Sequence, residues 1–186
     1  MGWREKFIVK PGDKVKLGKR DPDATPDGKD KEKVEEEIAR HLKELVELQY
    51  RLYADNTRSV LVILQALDAA GKDGVINHVF IALNPQGCRV QSFKQPSKEE
   101  AAHDFLWRAH KVVPQRGEFV IFNRSHYERV LVERVQKLAS PEAIEASYGQ
   151  INDFERLLSS NGTVIVKFFL HISREEQLER FIVRLD

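Results

Sequence analysis

The 186-residue sequence has a single cysteine, Cys88, so no disulfide can form within the chain. This scarcity favours a reducing compartment, and we predict a cytoplasmic protein. Long apolar runs are also missing: no stretch approaches the roughly 20 residues that a membrane span needs, which predicts no membrane partner. Basic and acidic residues nearly balance, 30 against 29. That balance argues against a general nucleic-acid binder.

The residues that are present suffice for one folded domain. Of the whole chain, 41% is hydrophobic and 32% charged, which allows one sizeable core. The first thirty residues are rich in Pro, Gly, Asp and Lys and lack periodicity, so we predict an irregular arm over 1–30. Apolar residues then recur at helical spacing, which predicts an amphipathic helix over 31–56. This helix either packs on its own domain or contacts another subunit.

Strand and helix patterns alternate over 57–186. Ser59–Leu67 contains a continuous apolar run, which is typical of a strand buried on both faces. Three further strands are predicted at Arg89–Phe93, Phe119–Phe122 and Thr163–Leu170. Helices between consecutive strands imply right-handed crossovers and a mostly parallel sheet that is covered on both faces. The sequence therefore predicts an α/β fold with three layers.

Polar caps mark the predicted helix starts: Ser97 with Glu100, Ser140 before Pro141, and Ser173 with Glu176. The first cap and the apolar residues that follow it predict one continuous helix through Ala109. The second predicts a helix that ends near Asn161.

The segment Ala66–Gly74 lies between a predicted strand and a predicted helix, where a phosphate-binding loop belongs. Free N–H groups and the positive end of the dipole make a helix start an anion site. The match to the Walker A pattern is imperfect, because Ala66 replaces a glycine and Asp73 replaces Ser or Thr. The alternative is an ordinary turn with a solvated lysine. The predicted phosphate-binding residues are Ala69, Ala70, Gly71, Lys72, Asp73 and Gly74.

Two carboxylates in this segment predict a metal. Asp68 and Asp73 repel a bound phosphate unless a cation lies between them. Since Mg²⁺ prefers hard oxygen ligands, we predict magnesium at this loop. The alternative for Asp68 is that it only accepts backbone hydrogen bonds within the turn.

A second polar group follows the predicted strand Phe119–Phe122. Asn123 stands where P-loop proteins often carry an acid that helps to hold magnesium. Arg124 can neutralise charge on a transferring phosphoryl group. Ser125 and Glu128 have capping-box spacing, so we predict that Ser125 caps the next helix and that Glu128 also faces the cleft.

Three more basic residues are candidates for the same site. Lys94 follows the second predicted strand, and ligands in open α/β sheets bind at this edge. Arg180 and Arg184 are one helical turn apart and share a predicted face, which suits a polyanion. A solvated surface is the alternative for these two arginines.

Several motifs, in this order, resemble those of the polyphosphate kinase 2 family, and the resemblance extends over nearly the whole chain. They are Leu67–Gly74, Asn84–Gly87, Ser92–Lys94, His103–Arg108, Phe122–Glu128, Ile151–Glu155 and His171–Ser173. The resemblance implies a P-loop NTPase-like, thymidylate-kinase-like fold. It also implies a phosphotransferase that moves phosphoryl groups between inorganic polyphosphate and nucleoside mono- or diphosphates, with Mg²⁺ or alternatively Mn²⁺.

By this resemblance the partners are polyphosphate, AMP, ADP and ATP, and the segment Asn123–Glu128 resembles the branch that accepts both AMP and ADP. The expected catalytic residues are Asp68, Lys72 and Arg124. The expected metal ligands are Asp68, Asp73 and Glu128. The expected phosphate and nucleotide ligands outside the loop are Lys94, Asn123, Arg180 and Arg184.

The resemblance also bears on assembly and completeness. Family members are commonly oligomeric, so we expect a homodimer or homotetramer. Family chains continue past the position of Asp186 through a lid region, so we expect the core to be truncated before or within the lid. The alternative functions are an ATP-dependent nucleoside or nucleoside-monophosphate kinase, and a non-catalytic polyanion-binding fragment.

Overall fold

The computed structural model describes residues 3–24 and 31–185. The predicted irregular arm is not wholly irregular, because Trp3–Phe7 forms helix α1 and Leu17–Lys19 forms one 3₁₀ turn. The arm also meets the core: His171 Nε2 lies 3.2 Å from the carbonyl oxygen of Arg20. The rest of the predicted arm, 1–2 and 25–30, lies outside the described residues.

Four strands form one parallel sheet. They are β1 (Ser59–Ala66), β2 (Cys88–Ser92), β3 (Phe119–Asn123) and β4 (Thr163–Leu170). Their spatial order is β2-β3-β1-β4, and all three neighbouring pairs are parallel. In this register Asn123 at the end of β3 lies beside Leu64 of β1 and Ser92 of β2. The carboxyl ends of three strands therefore meet at one edge.

Seven helices follow α1 in the described residues. They are α2 (Lys31–Asp55), α3 (Lys72–Val75, continued by a wider helical turn at Ile76–Phe80), α4 (Lys98–Ala101), α5 (Trp107–His110), α6 (Glu128–Gln136), α7 (Pro141–Ser160) and α8 (Arg174–Ile182). The predicted caps of the last two are confirmed, since Ser140 and Ser173 each accept a backbone N–H three residues ahead. Within 3–24 and 31–185, no helix has the length and apolar character of a membrane span.

The predicted continuous helix through Ala109 is wrong. The Ser97–Glu100 capping box forms as predicted, but α4 ends at Ala101. Asp104 then accepts hydrogen bonds from the N–H groups of Leu106 and Trp107, at 2.9 and 3.1 Å. These bonds form a turn that separates α4 from α5, because an Asp side chain competes for nearby backbone donors. The residue before α5 makes no side-chain cap.

The core lies on both faces of the sheet. β1 and β3 are its centre, with Leu61 and Val120 fully buried. One face packs against α5 and α7, through residues such as Phe154. The other face packs against α2 and the α3 helix, through residues such as Leu45 and Val75. The predicted α/β fold with three layers is confirmed.

The carboxyl-terminal half of α2 packs on its own domain. Leu45, Val46 and Leu52 contact the core. The buried side chain of Gln49 exchanges two 2.9 Å hydrogen bonds with the backbone of Asn84. This supports the first of the two interpretations of the helix.

Candidate active site

The phosphate loop has a backbone that admits an anion. It joins β1 to α3, and Gly71 adopts φ +92° directly before the helix begins. Ala69 also has a positive φ, +63°. The first N–H groups of a helix have no partner within the helix and point outward. The loop therefore presents donors at the carboxyl edge of the sheet.

Lys72 lies across the mouth of this loop. Its ammonium group donates to the carbonyl oxygens of Ala66 and Leu67, at 3.4 and 3.2 Å. Partial burial lowers the pKa of Lys72, and the positive charge of Arg124 lowers it further. Nearby carboxylates partly offset that shift, and they belong to Asp68, Glu128 and Asp73. The predicted basic and acidic residues of the site are thus close enough to interact electrostatically with Lys72.

Two direct contacts connect the loop to the end of β3. Arg124 NH2 donates to Asp68 Oδ1 at 2.9 Å. Asn123 Nδ2 donates to Asp73 Oδ1 at 2.6 Å. The structure therefore brings together the two polar groups that the sequence places 50 residues or more apart. The carboxylate of Asp68 accepts a hydrogen bond from a side chain. The structure therefore does not support the alternative in which Asp68 only accepts backbone hydrogen bonds within the turn.

Arg124 has a strained backbone, with φ +62°. Its NH1 group also lies 3.6 Å from Glu128 Oε2. The guanidinium therefore lies between two carboxylates while 41% of its side chain is exposed. Because the guanidinium is already partly exposed, it can turn toward a bound anion without first leaving a buried site.

Ser125 does not cap α6, so that prediction is wrong. The helix begins at Glu128, and the residue before it makes no side-chain cap. The buried Ser125 hydroxyl instead donates to Gln65 Oε1 at 3.1 Å, and it accepts the N–H of Tyr127. Gln65 also donates to Glu128 Oε1 at 2.6 Å. Near the end of β1, Gln65 thus holds both residues of the supposed capping box.

Helix α8 also contacts the phosphate loop. Gln177 Nε2 donates to the carbonyl oxygen of Asp68 at 2.7 Å. Arg180 NH1 donates to that of Ala69 at 3.2 Å, and its Nε donates to Glu176. Arg180 therefore lies against the phosphate loop, and its role as a phosphate or nucleotide ligand stays a prediction. Arg184 lies beyond the end of α8, in the turn that follows Ile182, and its role as a ligand stays a prediction.

Lys94 lies where the sequence predicts, at the carboxyl edge. The N–H of Phe93 donates to the carbonyl oxygen of Asn123 at 3.0 Å, just beyond the end of β2. Lys94 is the next residue and is exposed. Its role as a phosphate ligand stays a prediction.

A second polar cluster, unpredicted from the sequence, lies behind the Arg124 segment. Glu155 of α7 accepts the Tyr127 hydroxyl at 2.7 Å and the Lys167 ammonium at 2.6 Å. His126 Nε2 lies 3.4 Å from the same carboxylate. Burial alone raises the pKa of Glu155, but hydrogen bonds from its three partners lower it to about 2. The carboxylate is therefore ionised throughout the neutral range.

Some of these residues left a signal in the sequence. Lys167 is the one charged residue in the apolar strand β4, and Gln65 interrupts the apolar run of β1. Glu155 lies on the face of α7 that carries Ile151 and Leu158. A polar residue in a buried stripe indicates a buried partner. Gln177 left no such signal, since it follows the charged run Arg174–Glu176 and interrupts no apolar stretch.

The predicted magnesium site at the phosphate loop has few carboxylates that could serve as ligands. In residues 3–24 and 31–185, no group of three or more His, Cys, Asp or Glu side chains is arranged to hold a metal ion. Proteins commonly bind Mg²⁺ through one or two carboxylates, with substrate phosphates supplying other ligands. Asp68 is 67% exposed and Asp73 is also exposed, so both carboxylates are accessible to such a cation.

Comparisons with known proteins agree with this geometry. A family model described as Polyphosphate kinase 2 (PPK2) matches residues 28–186. The chain belongs to the polyphosphate kinase 2 family. The sequence is 48% identical over 183 residues to the AMP/ADP-polyphosphate phosphotransferase of Meiothermus ruber. It is 46% identical over 194 residues to the ADP-polyphosphate phosphotransferase of Rhodopseudomonas palustris. The predicted family is confirmed.

The structure agrees with the same family. The crystal structure of Polyphosphate Kinase 2 from Arthrobacter aurescens TC1 superposes with a TM-score of 0.92, at 42% identity. Each of these three comparisons covers 98% of this chain. The matched part is 68%, 67% and 66% of the respective relative, so the chain spans about two thirds of their length. The P-loop kinase fold predicted from the sequence is therefore confirmed.

Gly71→Ala is expected to weaken phosphate-chain binding at least about tenfold, since φ +92° is strained for an L residue. An added Cβ also lies 3.0 Å from Arg180 NH1. Calorimetric titration with tripolyphosphate measures this loss. Gly149→Ala is the matched control, because its Cβ meets nothing within 4 Å inside α7. The control should raise the free energy of unfolding by about 0.5–1 kcal/mol and leave binding unchanged. Equal binding by both variants would contradict the expectation.

Proposed function

We propose that this chain transfers phosphoryl groups between inorganic polyphosphate and adenine nucleotides, converting ADP to ATP and AMP to ADP. The observation that carries the proposal is the position of Arg124, which follows β3. It lies near Lys72 of the phosphate loop and pairs with Asp68 of the same loop. The names of relatives at 48% and 46% identity support polyphosphate as the donor. They equally support adenine nucleotides as acceptors.

The reaction needs positioning and charge more than covalent help. A terminal phosphate oxygen of ADP attacks the terminal phosphorus of polyphosphate in line. The P–O bond to the next phosphate breaks, and the shortened chain leaves with that electron pair. Lys72, Arg124 and the loop N–H groups bind the oxygens on which negative charge is concentrated. No protein nucleophile is required in this scheme.

Magnesium is part of the proposal. The oxygens of Asp68 and Asp73 would hold it, with Glu128 and the carbonyl of Asn123 as further candidates, and the hard oxygen donors suit this cation or Mn²⁺. Bound there, the cation supplies positive charge that offsets the repulsion between the loop carboxylates and the phosphates. The side chains of Arg124 and Asn123 bond to Asp68 and Asp73, and they would be available to the substrate if those carboxylates held the cation.

Helix α8 would help to close the site. Gln177 and Arg180 already contact the backbone of the loop, so a shift of α8 changes access to it. Arg180 carries its charge beside Gly71, where an anion would bind. A cytoplasmic location and a homo-oligomer are predictions that accompany this function.

The test is ATP formation from ADP and polyphosphate by purified 1–186. We expect turnover with Mg²⁺ and none with a chelator, and ADP formation when AMP replaces ADP. Turnover with ATP and a nucleoside monophosphate, but not with polyphosphate, would identify an ATP-dependent kinase instead. Binding of polyphosphate by a well-folded protein without turnover would identify a polyanion-binding module.

A further inference from the structure

The segment Arg124–Glu128 carries two predicted site residues on a strained stretch of backbone. Arg124 has φ +62°, a conformation that costs free energy for a residue with a Cβ. Such conformations persist only where the surrounding structure holds them. The contacts that hold this segment therefore control where the guanidinium of Arg124 points.

Two anchors hold the segment. The first is Gln65 at the end of β1, which bonds to Ser125 and Glu128. The second is Glu155, whose carboxylate contacts His126 and Tyr127. His126 and Tyr127 come two and three positions after Arg124. Both anchors therefore contact residues within four positions of Arg124.

The second anchor is centred on a buried carboxylate. Glu155 is 9% exposed and His126 is 3% exposed. Lys167 completes the cluster: its ammonium bonds to Glu155 Oε2 at 2.6 Å and to the Tyr127 hydroxyl at 3.0 Å. The cluster therefore connects α7 and β4 to the segment between β3 and α6. A buried carboxylate with three polar partners restrains the residues that it contacts.

We propose that Glu155 is a positioning residue, which fixes His126 and Tyr127 and thereby directs Arg124 toward the phosphate loop. Glu155 makes no contact with Asp68, Lys72 or Arg124 in the described hydrogen bonds and ion pairs, so it acts through the segment. The inference rests on the proposed function for the role of Arg124. Since Glu155 is fully ionised at neutral pH, with a pKa of about 2, the support does not switch in that range.

The test is a double-mutant cycle between Glu155→Gln and Arg124→Met. We expect Glu155→Gln to lower kcat for ATP formation about 10- to 100-fold, because small misplacements of a catalytic group cost that much. The KM for ADP should stay within about twofold, since binding of the nucleotide is not what Glu155 supports. With Arg124→Met already present, Glu155→Gln should cost less than about twofold more, because no guanidinium remains to be directed.

A matched control comes from the same helix. Asp153 is two residues before Glu155 and pairs with Arg156, with both side chains largely exposed. Asp153→Asn removes the same kind of charge and should change kcat less than about twofold. If Glu155→Gln does not fold, Tyr127→Phe decides the question. It deletes only the hydroxyl that donates to Glu155, and the same non-additivity with Arg124→Met is expected.

A binding readout separates this inference from the proposed function. The same cycle is measured as the Kd for tripolyphosphate, which requires no turnover. Non-additive losses in Kd without turnover would sustain the positioning role and overturn the kinase. Turnover together with additive losses in the two variants would overturn the positioning role alone. Absence of both turnover and tripolyphosphate binding would overturn both.

Discussion

Lys72→Ala is expected to lower kcat for ATP formation by about 10²–10³-fold, the loss typical of deleting one group that stabilises transition-state charge. Lys72 lies at the mouth of the loop, where its ammonium now bonds to the carbonyl oxygens of Ala66 and Leu67. Those contacts are exchangeable, because both acceptors are neutral carbonyls and a phosphate is a far stronger partner. The variant loses the charge, while Gly71 and the loop N–H groups remain.

The measurement is initial velocity at saturating ADP and polyphosphate, beside thermal unfolding of each variant. Lys43→Ala is the control, since Lys43 is an exposed lysine on α2, and it should change kcat less than about twofold. Lys72→Arg tests geometry: it keeps a positive charge on a planar group that cannot occupy the position of the ammonium. A folded Lys72→Ala protein with kcat within tenfold of the parent would contradict the assigned role.

The main elements of the fold could be predicted because their signals are local. The apolar run of β1 and the Ser140-Pro141 start of α7 each specify an element within a few residues. The phosphate loop followed from the same context, since only a strand before it and a helix after it make Gly71 and Lys72 informative. Lys167 in an apolar strand was also visible, but its partner was not.

The failures have a common physical cause, which is competition from residues distant in sequence. Ser125 and Ser173 have similar spacing to a glutamate three residues on, yet only Ser173 caps a helix. The Ser125 hydroxyl instead donates a hydrogen bond to the side-chain oxygen of Gln65, which is 60 residues away in the sequence. The order of strands in the sheet decides which of these partners is near, and no local pattern encodes that order.

Arg124 also shows why a site is harder to predict than a fold. Its chemistry was evident from its type and its place after a strand. Its direction was not, because the residues that follow Arg124 are held by Gln65 of β1 and Glu155 of α7, both distant in sequence. The acid beside it, Asp68, was predicted as a metal ligand, but in the structure it pairs with the guanidinium. A metal and an arginine can exchange such a carboxylate, so the observed pair is compatible with the metal role, which stays a prediction.

Arg124→Met is expected to lower kcat by about 10²–10³-fold while changing the KM for ADP by less than about threefold. The reason is the position of the guanidinium between Asp68 and Glu128, at 2.9 and 3.6 Å. Before the reaction these carboxylates balance its charge, so we expect binding of ADP to depend on it little. As charge develops on the transferred group, the planar guanidinium can donate to two oxygens at once.

The comparison with Arg124→Lys distinguishes charge from geometry. A lysine keeps the charge but cannot donate in a fixed fork, so we expect it to recover no more than about tenfold of the lost kcat. Arg156→Met is the control, because Arg156 is an arginine on α7 with 74% of its side chain exposed. If Arg124→Met raised the KM for polyphosphate and left kcat unchanged, Arg124 would bind the donor chain uniformly in ground and transition states. The transition-state charge would then fall to Lys72 and the loop N–H groups, and a weaker effect of Glu155→Gln on kcat would follow.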